Sequence, residues 1–407
     1  MRQLATIRDV SGKAAIEGMD NIELVYIDGW QVIIRKNENY QVGDKTIYVE
    51  IDSLLPETEW SEFLRAKKFK IKTMKLRGNL SQGICFPLSI LPESYKGTYE
   101  IGEDVTEILG IKNFRQVKVP KESQGKPKTK TQKFLMKFRL YRLLFGNRKQ
   151  RLDWPEWISK TDETRIENLA HYLQDKDTKY TVSVKLDGSS STHFIQKKKN
   201  WYGKTQYEFG ICSRNIRKRP WDKRWVKYGD KPDQWFYCAN KYGIKEKMIE
   251  WLEATIKYHR NVFDAMYIQG ELVGPGIQQN KYKLHELDVY IFNVVLVDTK
   301  TGLKKSLNYD EQTVVCNFLG LKQVPLVQDH YVLPDSVEEL RKFVHGPSYL
   351  NPESTLEEGF VFRNYVMNRS FKCVDPEFLL KWDGIDESED DEEPYDRDND
   401  VIDENDI

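Results

Sequence analysis

The chain has 407 residues, 63 of them Lys or Arg and 63 Asp or Glu, so its formal charge is zero. That length exceeds one ordinary domain and predicts two, with appendages. It has no membrane-length apolar run, starts Met1-Arg-Gln-Leu-Ala-Thr-Ile-Arg-Asp9 without a signal-peptide core, and scatters its five cysteines with no Cys-x-x-Cys pair. These features predict an intracellular protein, of cytoplasm or nucleus, and argue against a membrane span, a disulfide framework or a structural zinc site.

The zero hides a segregation. Residues 383–407 hold 14 Asp/Glu and one Arg, leaving 62 basic and 49 acidic residues in 1–382. A cationic body suits a polyanionic partner. The tail has few apolar residues to bury and is expected to be disordered, chiefly a solubilising segment.

Residues 1–115 read as short strands between turn signals. Ile22–Ile27 and Trp30–Arg35 flank Asp28-Gly29, a strong hairpin signal. Further strands are predicted at Thr46–Ile51, Phe69–Leu76 and Gly83–Leu88. About five strands in this length suit a small all-β barrel of the OB type. Alternation in Phe69–Leu76 puts Lys70, Lys72 and Lys75 on or near one face, which is equally a phosphate-tracking ribbon or a plain solvated surface.

Residues 116–151 form a basic connector, with eleven Lys/Arg against the single acid Glu122 between Lys121 and Arg151. Lys133–Phe145 spaces its apolar residues as an amphipathic helix, expected to dock between domains or onto nucleic acid rather than on a membrane. From 152 to 382 strands and helices mix without a βαβ rhythm, predicting an α+β domain. A helix is expected around Asp162–Leu173, with Ile166, Leu169, Ala170 and Leu173 on one face. Ser336-x-x-Glu339 predicts a capping box for a helix ending near Val344.

The chemistry-bearing segments lie in this second domain. Thr181–Gly188 is a short apolar strand ending in Lys185-Leu-Asp187-Gly188, which would hold an amine rigidly at a pocket floor beside a carboxylate. Taken alone this short pattern is better read as a solvated strand end. Downstream come Cys212-Ser-Arg-Asn215, with the forked donors of Arg214, and Gln269-Gly-Glu271 followed by the tight Gly274-Pro-Gly276 loop. Tyr290 and Phe292 then face one way on an apolar strand, and Glu358-Gly-Phe-Val361, Ser370-Phe-Lys-Cys373 and Lys381 follow. Each has a bland reading by itself; their order together is the signal.

That order resembles the covalent nucleotidyltransferase superfamily of polynucleotide ligases and capping enzymes, and within it the ATP-dependent RNA ligases. Lys185-Leu-Asp-Gly188 looks like motif I, Ser213-Arg-Asn215 motif Ia, and Gly270-Glu-Leu272 motif III. Tyr290-Ile-Phe292 is similar to motif IIIa, Glu358-Gly-Phe-Val361 to motif IV and Phe371-Lys-Cys373 to motif V. Gly274-Pro-Gly-Ile-Gln-Gln-Asn280 is like an extension of the double-strand, nick-sealing branch, and the N-terminal segment is like the OB module that precedes the transferase domain in one nick-sealing subfamily. The likeness spans roughly 160–382. One position departs: a second motif V lysine is replaced by Val374, with Lys381 as a candidate substitute.

The resemblance implies an α+β nucleotidyltransferase domain of antiparallel sheets with flanking helices at 152–382, behind an OB barrel at 1–115, the connector at 116–151 and the tail at 383–407. It implies ATP and Mg²⁺ as cofactors, with Mn²⁺ able to stand in, and RNA or a nicked RNA-containing duplex as substrate of a monomer. Catalytic roles fall to Lys185, Lys372 and Arg214. Nucleotide binding falls to Val184, Lys185, Arg214, Phe292, Glu271, Lys372, Arg165 and Lys381, and the metal to Asp187, Glu271 and Glu358. Carboxylates without a metal would raise the amine's pKa, the wrong direction for a nucleophile. A capping guanylyltransferase or a DNA ligase is the nearest alternative, disfavoured because only the acidic tail follows Lys381. A non-catalytic RNA-binding protein is the other.

Overall fold

The computed structural model describes residues 2–114, 154–218, 227–228, 231–258 and 262–382. The basic connector with its expected amphipathic helix, and the acidic tail, lie outside the described residues.

Two compact units are present, and segments distant in sequence contribute to the first. It takes the N-terminal region together with Arg165–Leu173 and the helix Pro376–Trp382. Its sheets are small. One orders the strands Ala5–Asp9, Lys45–Val49 and Ile84–Phe86; another orders Gly12–Ala15, Ile22–Ile27 and Trp30–Arg35. The Asp28-Gly29 hairpin forms in the register expected, Ile27 opposite Trp30, with Asp28 at φ 50°. Trp30 is fully buried and its indole N–H donates to Asn168 Oδ1 at 2.8 Å, while Asn168 Nδ2 donates to Glu50 Oε1 at 2.6 Å. A buried indole and amide that satisfy each other hold Arg165–Leu173 to this sheet.

Two local expectations fail here. The alternating strand Phe69–Leu76 is only Thr73–Leu76: Phe69 adopts left-handed backbone, and Lys70 makes an isolated bridge to Leu54 instead of continuing the ladder. The lysines therefore do not form one ribbon, and Lys75 instead bonds Glu377 at 2.6 Å. The helix around Asp162–Leu173 is a pair of 3₁₀ turns over Ile166–Gln174, kinked at Leu169 (φ −126°, ψ 27°). Nine residues of 3₁₀ geometry cannot hold a 3.6-residue apolar stripe, so Glu167 is buried beside Ile166 and Leu173.

The second unit is built on two antiparallel sheets. The first orders Leu326–Val332, Lys179–Lys185, Gly359–Asn364 and Arg369–Val374. Its core face stacks Phe362 on Phe371 at 4.8 Å and receives Phe343 from the helix Val337–Val344. Ser336 caps that helix as expected, accepting from the Glu339 N–H, while the Glu339 carboxylate reaches the Asp335 N–H. The second sheet orders Thr205–Cys212, Ser189–Lys199, Ala265–Val273, Asp288–Val297 and Lys304–Ser306, with Lys322–Gln323 parallel to Asp288–Val297. Helices Gln234–Tyr242, Ile244–Tyr258 and Tyr309–Leu319 cover one face of it, burying Met248, Leu252, Ile268, Ile291, Val315 and Leu319. All five cysteines are buried free thiols. Among the described residues no helix is long and apolar enough to cross a membrane.

Candidate functional site

The chain leaves the first sheet at Lys185 and enters the second at Ser189, so Leu186-Asp187-Gly188 is the joint between them. Gly188 is required there: a Cβ would lie 2.3 Å from the Leu272 carbonyl oxygen and 2.9 Å from Glu271 Cγ. The joint thereby brings the end of one strand against the C-terminal end of another. Register does the rest. Lys185 pairs with Gly359, placing Glu358 at the amine, and Ser190 pairs with Glu271, which pairs with Tyr290.

Lys185 Nζ donates to Glu358 Oε1 at 2.5 Å. Burial alone would push this ammonium down, but Glu358, then Asp187 and Glu271, outweigh it and hold the amine above its ordinary value. Glu271 shows the converse. Burial, helped by Glu358 and Asp187 and opposed by Lys185 and Arg214, pushes its carboxyl up to about 8. Glu357 is fully buried and is pushed up to about 7, burial again dominating while the N–H groups of Tyr349 and Glu358 oppose it. So an amine that is too cationic and a carboxyl that is too neutral share one pocket.

Asp187 has its own cation. Lys281 Nζ bonds Asp187 Oδ2 at 2.5 Å with only 5% of the lysine side chain exposed, and Tyr282 Oη accepts from the Asp187 N–H at 2.7 Å. Both partners follow the loop in which Gly274 (φ 119°), Gly276 (φ 81°), Gln278, Gln279 and Asn280 have positive φ. Sequence reasoning noted the loop but not Lys281 or Tyr282. An isolated Lys-Tyr pair carries no signal until the loop folds back on the joint.

A second cluster lies on the partner strand. Lys372 pairs with Val361, and its Nζ bonds Asp162 Oδ1 at 3.1 Å; Arg214 Nη2 bonds Asp162 Oδ2, also at 3.1 Å. Asp162 was not among the expected site residues, although it unites two that were. Val374, where a lysine is replaced, is 3% exposed and lies opposite Gly359, so this position is core. Val184 is buried beside Lys185. Phe292 is half-buried with the Arg363 guanidinium 5.9 Å from its ring. Arg165 and Lys381 belong to the first unit. Arg165 is 6% exposed, 6.0 Å from the Trp30 ring, and its Nε and Nη1 have no hydrogen-bond partner among the described residues.

The donor set suits a hydrated divalent cation better than a directly ligated one. Among the described residues no cluster of three or more His, Cys, Asp or Glu closes into a metal cage. Yet Glu358 Oε2 is buried with no hydrogen-bond partner among the described residues, beside a carboxyl that burial has driven up to about 8. A cation would answer both, and Mg²⁺ keeps several of its own waters.

A family profile described as RNA ligase matches residues 178–382, half of the chain, and another described as an OB-fold domain matches residues 4–88. The chain belongs to the RNA ligase family. Among solved structures it is similar to Naegleria gruberi RNA ligase with PPi, at TM-score 0.70 and 29% identity over 94% of this chain and 100% of that one. Mutants of the same ligase also match. One solved with ATP and Mn gives TM-score 0.69 and 26% identity over 93% and 98% of the two chains, and one with AMP and Mn gives 0.68 and 27% over 93% and 99%. A comparison with curated proteins gives no match. The order of an OB-fold domain before a sheet-rich RNA ligase domain is the architecture expected from the sequence.

Proposed function

We propose that this RNA ligase uses ATP and a divalent cation to join RNA 3′-OH and 5′-phosphate ends, acting as a monomer at nicks in duplexes. The observation that carries it is Lys185, fixed at the sheet joint with the Glu358, Asp187 and Glu271 carboxylates acting on its amine. The relatives solved with ATP or AMP and Mn support the cofactor assignment.

Lys185 attacks the α-phosphorus of ATP, a P–N bond forms, and pyrophosphate leaves. For that the amine must lose its proton, and the surrounding carboxylates act against this. A divalent cation, when bound by Asp187, Glu271 and Glu358 largely through its waters, supplies the positive charge that lowers the amine's pKa and offsets charge growing on the phosphate. Lys372, freed from Asp162, contacts the α-phosphate, and Arg214 takes ribose or the outer phosphates with its fork. Phe292 stacks on adenine, and Val184 lines the nucleotide site beside Lys185. The adenylate then passes to an RNA 5′-phosphate, and a 3′-OH attacks the resulting anhydride, releasing AMP.

Incubation with α-phosphate-labelled ATP, GTP or NAD tests the reading. Label from ATP alone should stay on the protein, and Lys185→Ala should abolish it. Retention of GMP would mean a capping-type transfer, and an adduct that survives Lys185→Ala would remove the nucleophile. Sealing of nicked duplexes that vary RNA and DNA on each strand then fixes the substrate.

A further inference from the structure

The longest strand of the second unit ends in a feature that the transfer chemistry does not use. Ser189–Lys199 leaves the joint beside Lys185 and turns back into Thr205–Cys212. At the tip Trp201 is 84% and Tyr202 is 72% exposed, the largest such exposure of adjacent aromatic residues on the described surface. They are not there through slackness of the turn. Asn200 Oδ1 accepts from the N–H groups of Tyr202 and Lys204, and the Asn200 N–H donates to the Lys204 carbonyl at 2.9 Å. The turn is thus closed by asparagine, and neither ring contributes to burying a core. An indole and a phenol left in water on a braced turn forgo the burial that normally accounts for such side chains.

The surrounding charge has one sign. From Gln196 to Tyr207 the chain carries Lys197, Lys198, Lys199 and Lys204 and no acid. Glu253 and Glu208 pair with Lys197 and Lys198 just short of the tip. Lys199 and Lys204, next to the rings, are exposed and have no acidic partner among the described residues. Flat aromatic faces flanked by unpaired cations match unpaired nucleotides, whose bases stack and whose phosphates pair with lysine; a protein partner of an all-basic tip would need to be acidic and would gain nothing specific from the paired rings. Ten residue steps at roughly 3.3 Å each put the tip about 33 Å along the strand from the joint, so the contact falls on RNA away from the ends being joined.

We propose that the Lys199–Lys204 hairpin tip is a stacking platform for single-stranded RNA flanking the joint. This rests on RNA being the substrate and adds a second place where it is held. The test measures binding of the full chain, by fluorescence anisotropy, to single-stranded RNA and to a blunt, fully paired RNA duplex. The paired variant Trp201→Ala/Tyr202→Ala should lose roughly 5- to 150-fold in affinity for single-stranded RNA, the span of one base–aromatic stack, with little change for the duplex. Trp201→Phe/Tyr202→Phe should restore most of it. Formation of the AMP adduct should match the unaltered chain, which also shows that the variant folds. Unchanged affinity for single-stranded RNA, or an equal loss on both nucleic acids, would overturn the proposal; so would preferential binding of an acidic peptide over RNA. Failure of the ATP adduct in the unaltered chain would instead strike the ligase chemistry and leave this comparison readable.

Discussion

Two lysine–carboxylate pairs sit within one pocket and have the same length, yet their surroundings separate them. Lys281–Asp187 and Lys185–Glu358 both close at 2.5 Å. Lys281 is 5% exposed, and Asp187 is further held where its N–H meets Tyr282. Lys185 is 24% exposed, and two more carboxylates bear on it besides its partner, one of them on a different sheet. The first pair is a fixture that shapes the joint. The second is a charge balance that a bound cation can tip, which is what a nucleophilic amine needs. An ion pair's length therefore says little about its role; the excess of charge around it says more.

Deleting the amine gives the largest effect, complete loss of the adduct in Lys185→Ala. Glu271→Gln should sharpen the contrast next. Removing one preorganised electrostatic group at the reacting centre costs about 100-fold in rate, and excess Mg²⁺ should not restore it. Stability should move the other way. In the folded chain this carboxyl is held at about 8, above its unfolded value, so the folded state binds the extra proton. Without a divalent cation, stability should therefore be intact below the unfolded value and fall as pH rises toward 8. Glu271→Gln should reduce that slope in thermal melts, leaving the part contributed by Glu357, which burial pushes up to about 7. An undiminished slope would mean that Glu271 does not carry its share.

Lys281→Met tests the fixture. It keeps the hydrocarbon stem and removes only the charge, leaving Asp187 unpaired in a partly buried place. Breaking such a pair costs about 3 kcal/mol, so denaturant melts should shift strongly while the adduct still forms at a reduced rate. Complete loss of the adduct with unchanged stability would place Lys281 with Lys185 as a reacting group.

How much of this was legible in the chain follows from the range of each interaction. Asp28-Gly29 predicted its hairpin and Ser336 its helix cap because both act within four residues. The order of Lys185, Glu271, Glu358 and Lys372 was readable because each sits in or at the edge of a strand with its own short pattern. What brings them together was not. The register Lys185–Gly359 and the approach at Gly188 depend on pairings far apart in sequence. The same holds for Asp162 and Lys281, which carry no pattern and acquire a role only through contacts 210 and 94 residues away. Phe69–Leu76 misled for the opposite reason, since its alternation was genuine but its first half turns left-handed at Phe69 and pairs elsewhere, Lys70 with Leu54.

Asp162 offers the smallest and most diagnostic change. Its two oxygens occupy Lys372 and Arg214, cations assigned here to the phosphates and sugar of ATP, and it is itself 45% exposed. A carboxylate in that position competes with the nucleotide for the same donors. Exposed pairs of this kind contribute about 0.2–1 kcal/mol each, so losing both in Asp162→Asn should lower the KM for ATP in adduct formation by roughly two- to thirty-fold and leave kcat nearly unchanged. A fall in kcat with KM unmoved would mean that Asp162 aims Lys372 at the phosphate rather than holding it back. In that case the contrast drawn between the two lysine pairs extends to a third, in which the carboxylate is neither fixture nor counterweight but guide.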